Sequence, residues 1–96
     1  MLTKRLIACF DVRDNMVTKA CRFQDNIDIA PAEEVARKVY SEQIDEIIFY
    51  DILASAQRRQ IDLDMVKRVA KEVFVPFTVG GGIRTLDDMF QVLKAG

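Results

Sequence analysis

The sequence predicts an α/β fold made of three consecutive strand–helix units. Short apolar runs alternate along the chain with segments whose apolar residues recur at helical spacing, and the links between them are short. Strands separated by helices pair in parallel through right-handed crossovers, so helices cover at least one face of the sheet. No linker or low-complexity tract interrupts residues 1–96, which we expect to form a single domain.

The first predicted strand is RLIACFDV (5–12), which ends near Asp11 and is followed by the turn residues RDN. Its apolar residues do not alternate cleanly with polar ones, which predicts burial on both faces. MVTKACRF (16–23) alternates more regularly and predicts the arm of a small hairpin. Pro31 is tolerated in the first turn of a helix, and AEEVARKVYSEQ (32–43) continues that helix.

The second unit combines the strand DEIIFYDIL (45–53) with the helix DLDMVKRVAKEV (62–73). Both predicted helices carry their apolar residues on one face, which indicates that this face packs against the sheet. These inward residues are Ala32, Val35, Ala36, Val39 and Tyr40 in the first helix, and Met65, Val66, Val69, Ala70 and Val73 in the second.

The third unit begins with the strand VPFTV (75–79), in which Pro76 fits only the first residues of a strand. Thr85 and Asp88 then resemble a capping box in which Asp replaces the usual Glu. They predict a third helix that starts at residue 86 and stops at Gly96.

Two architectures agree with this order of elements: a small open doubly wound sheet, and a slice of a closed (βα) barrel. In both, ligands bind at the carboxyl ends of the parallel strands. The first strand ends in Asp11, the second in Asp51, and the third in Gly80, Gly81 and Gly82. These residues are therefore the first candidates for a functional site.

The glycine run has two interpretations of equal weight. Consecutive glycines let the backbone approach an anion and direct several N–H groups at it, and a following helix adds a partial positive charge. The same glycines also suit a strand-to-helix corner that needs positive φ. The spacing matches neither a GxGxxG motif nor a P-loop, so no nucleotide signature is present.

The polar residues near the strand ends each have two interpretations, and for Asp11 and Lys19 the structural one is the commoner. Asp11 is either a general acid or base, or a solvated residue that caps the turn. Lys19 lies across the predicted hairpin and either reaches the same site or stays an exposed surface lysine. Asp51 is either catalytic or bonds local backbone amides. Cys9 shares the face of Asp11, and packing suits it better than nucleophilic chemistry.

The composition excludes several classes of function. The net charge is −1 with the signs interspersed, which argues against nucleic-acid and anionic-membrane partners. The sequence contains no histidine, so His-dependent triads and the common zinc sites are excluded within these residues. Its two cysteines have no CxxC spacing and predict reduced thiols. The apolar N-terminal run is too short for a signal peptide or membrane span, so we expect a cytoplasmic protein.

Four segments together resemble a known family. LIACFDV, VTKACRF, DEIIFYDILAS and PFTVGGGIRT are similar to the N-terminal part of the cyclase subunit of imidazole glycerol phosphate synthase, and the similarity runs through the whole chain. The resemblance implies a (βα)8 barrel of histidine biosynthesis. Such an enzyme closes an imidazole ring on a phosphoribulosyl-formimino carboxamide ribonucleotide, using ammonia from a glutaminase partner and no metal or cofactor.

The resemblance also implies roles for individual residues. Asp11 matches a catalytic aspartate that acts as acid or base, and Lys19 matches a lysine on the loop that closes over substrate. Gly82 matches a backbone donor to a substrate phosphate, and we expect Gly80, Gly81 and Asp51 to bind the substrate or its phosphate with it. Arg5 and Glu46 match members of a charged ring at the opposite end of the barrel, where ammonia enters.

Some residues depart from the family pattern. Tyr50 and Leu53 replace a leucine and a polar residue of the second strand segment, and Tyr50 should point into the barrel and crowd the substrate. Ala20 replaces a glycine after the hairpin lysine, and the usual Gly-Asp-Pro before the first helix is reduced to Ala30 and Pro31. These changes predict a relaxed or altered function.

The length predicts an incomplete barrel, because these residues supply three of eight βα units and lack the second catalytic aspartate of the family. We expect the first and third strands to have unpaired edges. The barrel-facing apolar residues should lack a cover, which predicts self-association and an inactive lone chain. A non-catalytic oligomerising module that retains a phosphate-binding glycine loop is the alternative. The uncovered apolar residues are Ile7, Cys9, Ile48 and Ile52.

Overall fold

A computed structural model describes residues 3–21, 24–57 and 59–96. Within these residues the chain forms one five-stranded sheet and four helices. In chain order the elements are β1 (Ile7–Arg13), β2 (Met16–Cys21), β3 (Gln24–Pro31), α1 (Ala32–Ser41), β4 (Glu46–Asp51), α2 (Ile52–Ala56), α3 (Leu63–Ala70), β5 (Phe77–Gly80) and α4 (Leu86–Ala95).

The sheet has the strand order β3-β2-β1-β4-β5. Strands β1, β4 and β5 are parallel and follow the three predicted strand–helix units. Strands β2 and β3 extend the sheet on the other side as an antiparallel meander. The predicted parallel βαβαβα arrangement is confirmed, and the sheet remains open.

The hairpin between β1 and β2 turns at Asp14 and Asn15, whose φ angles are 47° and 68°. Two consecutive positive φ angles are typical of a type I′ turn, whose twist suits antiparallel strands. The predicted hairpin arm is confirmed as far as Cys21, whereas residues 22 and 23 lie outside the described residues. Because β2 pairs with residues Asp11–Arg13, the prediction of an unpaired edge on the first strand is wrong there.

Strand β3 was absent from the sequence-based prediction. Its side chains at Ile27 and Ile29 are 69% and 59% exposed, so these two apolar residues do not mark the buried face by which a strand is recognised. Pro31 is the last residue of β3 rather than a residue of the first helical turn, and its φ of −57° suits this position. Helix α1 starts one residue later, at Ala32.

The second unit is interrupted by a short helix that the sequence pattern did not predict. Strand β4 stops at Asp51, and Ile52 and Leu53 belong to α2 instead of the strand. Helix α3 begins after Asp62, whose carboxylate accepts a hydrogen bond from Met65 N at 3.0 Å. The predicted second helix is thus confirmed at its start and is shorter at its end.

The helices cover one face of the sheet, which we call the covered face. Along β1 and β4 it carries alternate residues, among them Val12, Ile47 and Phe49, each at most 2% exposed. The inward faces predicted for the two helices are confirmed, although Val35, Val39, Tyr40 and Ala70 are only partly buried. The core consists of Val12, Val17, Ala32, Ala36, Ile47, Phe49, Met65, Val66, Val69 and Val73.

The opposite side of the parallel strands, which we call the open face, is not covered by any described element. Its residues on β1 include Ile7, Cys9 and Asp11, and these three are exposed. The prediction that the first strand is buried on both faces is therefore wrong among the described residues. The expectation that Ile7 and Cys9 lie on an uncovered face agrees with this arrangement, as Ile7 is 46% exposed.

Candidate functional site

Three residues form a row across the open face at the carboxyl ends of the parallel strands. Asp11 on β1 pairs with Tyr50 on β4, and Tyr50 pairs with Gly80 on β5. Residues paired across neighbouring strands have their side chains on the same face. Asp11 is exposed and Tyr50 is 45% exposed. We call Asp11, Tyr50 and Gly80 the site row.

The ring of Tyr50 leans along this row towards β5. A Cβ placed on Gly80 would lie 3.3 Å from Cδ1 and 3.5 Å from Cε1 of Tyr50. The ring therefore occupies the space where a side chain at position 80 would stand. Tyr50 shares the face of Asp11, as strand alternation predicts, but its ring extends sideways over the sheet.

The glycines after β5 form a corner that only glycine fits at two positions. Gly81 and Gly82 have φ angles of 101° and 75°, which L-residues rarely adopt. A Cβ on Gly81 would collide with the carbonyl of Asp51, and one on Gly82 would lie 2.7 Å from Cβ of Ala54. We call Gly80–Gly82 the glycine corner. Close backbone packing by itself accounts for these glycines.

The glycine corner also presents backbone donors. Among the described residues, neither Gly82 N–H nor Ile83 N–H makes a backbone hydrogen bond. Unpaired N–H groups beside positive-φ glycines form the concave arrangement that anions occupy in many proteins. Both interpretations of the glycine run are thus compatible with its geometry.

Three residues separate the glycine corner from the start of helix α4. The backbone N–H groups at the N-terminus of this helix are hydrogen-bonded by side chains of the same segment. Thr85 Oγ1 accepts from Asp88 N at 3.0 Å, and Asp88 Oδ2 accepts from Thr85 N at 3.1 Å, which confirms the predicted capping box. Asp88 also accepts from Arg84 N at 2.9 Å. The backbone N–H groups of Arg84 and Thr85 hold the pKa of Asp88 below its usual range. The negative charge of Asp88 disfavours the binding of an anion at the helix N-terminus itself.

Asp51 lies on the covered face, on the opposite side of the sheet from the site row. Its side chain is 2% exposed and accepts hydrogen bonds from Leu53 N and Ala54 N at 3.2 and 3.0 Å. Its carboxylate also accepts from Asp62 N and from the guanidinium of Arg59, each at 3.3 Å. This arrangement favours the interpretation that Asp51 bonds local backbone amides over direct contact with a substrate or phosphate.

The partners of Asp51 pack directly against the glycine corner. A Cβ on Gly82 would lie 2.8 Å from the carbonyl oxygen of Arg59, besides its contact with Ala54. Both Arg59 and Ala54 are held by the Asp51 carboxylate. Asp51 therefore fixes the loop that supports the corner. In the sequence, the only sign of this role is the position of the aspartate immediately before α2.

Lys19 is exposed on β2, one residue beyond the end of this strand's pairing with β1. Pairing between β1 and β2 ends with Asp11 and Thr18, and Lys19 pairs only with Ile27 of β3. Thr18 is 6% exposed and its hydroxyl donates to Ile27 O at 3.1 Å. Lys19 therefore follows the residue that lies beside Asp11, on an arm that is attached to the sheet only through its base.

Arg5 and Glu46 meet at the other end of the parallel strands. Arg5 Nη1 lies 3.1 Å from Glu46 Oε2, and the two side chains are 68% and 23% exposed. Glu46 pairs with Ile7, four residues before Asp11 on β1. At a rise of about 3.3 Å per residue, the ion pair is ~13 Å from the site row along the strand.

Thr78 is a residue of the open face that the sequence interpretation did not single out. It is exposed and lies two residues before Gly80 on β5, so alternation places it on the same face. Applying the two-residue period backwards from the glycine corner would have identified it.

Other classes of site find no support among residues 3–21, 24–57 and 59–96. In this part of the chain no three His, Cys, Asp or Glu side chains converge as metal ligands do. Nor does any helix described there combine the length and apolar character needed to cross a membrane.

Comparison with known proteins identifies the family to which the chain belongs. Residues 5–96 match the model of the family described as histidine biosynthesis protein. The chain is 57% identical over its full length to imidazole glycerol phosphate synthase subunit HisF of Syntrophobacter fumaroxidans and 55% identical to that of Solidesulfovibrio magneticus. It spans 37% of the length of each relative. The chain belongs to the histidine biosynthesis protein family and is similar to the N-terminal part of its HisF members.

Proposed function

We propose that the chain forms the first three βα units of a cyclase barrel, as a single partial domain that acts in the cytoplasm. The proposed reaction closes an imidazole ring on a phosphorylated ribonucleotide with ammonia, without a metal or cofactor. The observation that carries this proposal is the site row, because it joins an exposed carboxylate to a glycine corner at the carboxyl ends of parallel strands.

In this proposal Asp11 transfers protons as acid or base, because it is the exposed carboxylate of the site row. Lys19 brings a positive charge over the bound substrate when the β2–β3 arm closes. Asp51 acts indirectly by holding the loop behind the glycine corner, since its carboxylate is engaged by three backbone amides and Arg59.

The glycine corner binds a substrate phosphate through its backbone N–H groups. Support comes from the positive φ angles of Gly81 and Gly82 and from the N–H groups of Gly82 and Ile83, which make no backbone hydrogen bond within the described part of the chain. Anion binding by such N–H groups needs no side chain. The acidic first turn of α4 confines the phosphate to the corner.

Arg5 and Glu46 form part of a charged ring through which ammonia enters from a glutaminase subunit. Their ion pair lies at the end of the strands opposite the site row, which is the arrangement that such a path requires. The open face between the two ends supplies part of the wall of the path.

A complete site needs a cover over the open face, and further βα units or other copies of the chain can supply it. Exposed apolar side chains on this face, such as Ile7 and Tyr50, favour association. One side of α4 also favours association, because four apolar residues that recur at helical spacing are exposed there. They are Leu86, Met89, Phe90 and Leu93, at 83%, 50%, 58% and 79%.

The proposal is tested by replacing the first 96 residues of the Syntrophobacter fumaroxidans relative with this chain. The hybrid should form the aminoimidazole carboxamide ribonucleotide when substrate and ammonia are added. Asp11→Asn should lower kcat by about 10²-fold or more, whereas Asp64→Asn, in an exposed part of α3, should leave it unchanged. A hybrid that folds, binds substrate and shows no turnover would contradict the proposal.

A non-catalytic oligomerising module is the second candidate, and the exposed apolar surfaces favour it. For the 96-residue chain it predicts a discrete oligomer by light scattering and phosphate binding without turnover. If the chain is a monomer at all concentrations, the open face is not closed by self-association and this candidate fails.

A further inference from the structure

The site row has a residue in its middle whose role is not explained by the proposed functions of its two ends. Asp11 stands at one end and the glycine corner at the other, and Tyr50 lies between them in strand register. Two inter-strand spacings separate β1 from β5, which amounts to about 9.6 Å. A ligand that touches both ends must therefore pass over Tyr50.

The ring of Tyr50 is accessible and is aligned along this path. Its side chain is 45% exposed, and Cδ1 and Cε1 lie beside the position that a Cβ on Gly80 would take. The phenol therefore extends from the centre of the row towards the glycine corner. Its hydroxyl can donate one hydrogen bond and accept another, and its ring offers an apolar surface.

We propose that Tyr50 binds the sugar portion of a phosphorylated sugar ligand and makes the site selective for such ligands over free phosphate. The inference rests on the phosphate role proposed for the glycine corner. A phosphorylated five-carbon sugar spans most of the distance from the corner to Asp11. One of its hydroxyls can form a hydrogen bond with the hydroxyl of Tyr50. A leucine at this position could make no such hydrogen bond.

The experiment measures binding of two probes, inorganic phosphate and ribose 5-phosphate, to the 96-residue chain by NMR titration. Amide signals of Gly81 and Gly82 report on the corner, and ring signals of Tyr50 report on the sugar. Wild type should bind ribose 5-phosphate more tightly than phosphate. Tyr50→Phe should weaken ribose 5-phosphate binding by about two- to tenfold, the range expected for one hydrogen bond, and should leave phosphate binding unchanged.

Two further variants complete the test. Tyr50→Leu should abolish the preference for ribose 5-phosphate, because it removes both the hydroxyl and the ring. Tyr40→Phe is the matched control, because Tyr40 lies on α1 against Phe74, with ring centroids 6.0 Å apart, and outside the site row. It should change neither affinity.

The outcomes separate this inference from the proposed function. Equal affinities for both probes in wild type and in both Tyr50 variants would overturn the role of Tyr50 and leave the phosphate role of the corner in place. If neither phosphate nor ribose 5-phosphate perturbs the amide signals of Gly81 and Gly82, the phosphate role of the corner fails, and the inference about Tyr50 that rests on it fails as well.

Discussion

The two faces of the parallel strands differ although they are made by alternate residues of the same segments. On the covered face, Ile47 and Phe49 are fully buried and pack with the helices. On the open face, their neighbour Ile48 is partly buried and their neighbour Tyr50 is exposed. The covered face contributes the apolar burial that stabilises the domain, and the open face carries the chemical groups of the candidate site.

This difference separates stability from chemistry at the level of single residues. A carboxylate on each face illustrates it: Asp51 is buried and engaged by backbone amides and Arg59, whereas Asp11 is exposed. Substitutions on the covered face should therefore affect folding, and equivalent substitutions on the open face should affect binding and turnover.

The largest contrast is expected between Ile47→Ala and Ile48→Ala, which remove the same atoms on opposite faces. Ile47 is fully buried, so its truncation leaves a cavity and should lower the free energy of unfolding by about 2–5 kcal/mol. Ile48 is only partly buried, and its truncation should cost roughly 1 kcal/mol or less. Urea denaturation measures both. A loss at Ile48 as large as that at Ile47 would indicate that the open face is covered in solution.

A smaller contrast is expected between Asp51→Asn and Asp11→Asn. The first substitution removes a buried charge that Arg59 and backbone amides bind, and it should destabilise the fold by about 3 kcal/mol. The second should change stability by less than about 0.5 kcal/mol, because Asp11 is exposed. Equal effects in urea denaturation would contradict the assignment of Asp51 to the covered face.

The glycine corner gives the next contrast, between Gly82→Ala and Gly80→Ala. At Gly82, with φ of 75°, a Cβ would meet Ala54 and the Arg59 carbonyl, and the substitution should cost roughly 1–3 kcal/mol. At Gly80 a Cβ would meet only the Tyr50 ring at 3.3 Å, and the ring can move, so the cost should be smaller. Thermal unfolding ranks the two variants, and the reverse order would show that the Tyr50 ring is fixed.

The smallest effect concerns a surface ion pair remote from both faces. Arg37 donates to both carboxylate oxygens of Glu72 at 3.0 and 3.1 Å, which lowers the pKa of Glu72 and raises that of Arg37. Because the folded pKa of Glu72 is lowered, this stability is present above the ordinary glutamate pKa of about 4.3 and is lost as pH falls through the folded value.

Arg37→Gln should therefore lower the unfolding midpoint slightly at pH 7, and its difference from wild type should shrink as pH falls below about 4. Lys4→Gln, at an exposed residue ahead of β1, is the control that removes a charge elsewhere. A difference for Arg37→Gln that stays constant down to acidic pH would contradict the contribution of the pair.

Elements with an apolar pattern or a capping motif could be predicted from the sequence, including α4, which has no buried residue but starts with a capping box. Helices α1 and α3 and strands β1, β4 and β5 follow from the spacing of their apolar residues. Strand β3 was missed because its two isoleucines, Ile27 and Ile29, are exposed and do not mark a buried face. The short helix α2 was missed because its apolar start reads as a continuation of β4.

The positions of the candidate site residues followed from the sequence better than their surroundings did. The rule that parallel strands bring their carboxyl ends together placed Asp11 near the glycine corner. It also placed Asp51 there, because the rule does not say which face a strand-end residue occupies. Strand alternation does distinguish them, since Tyr50 and Asp51 are adjacent and must lie on opposite faces.

Strand β1 pairs in two ways, with consequences for the kinetics of folding. Its hairpin with β2 closes through two turn residues, whereas its parallel pairing joins Ile7 to Glu46, 39 positions along the chain. Hairpins form within roughly 1–10 μs, and distant parallel pairings are slower because a long loop must close first. We therefore expect Asp11 to acquire its hairpin neighbour Thr18 early and Tyr50 late. The site row exists only after the slower step, so ligand binding reports completion of the parallel sheet rather than formation of the hairpin.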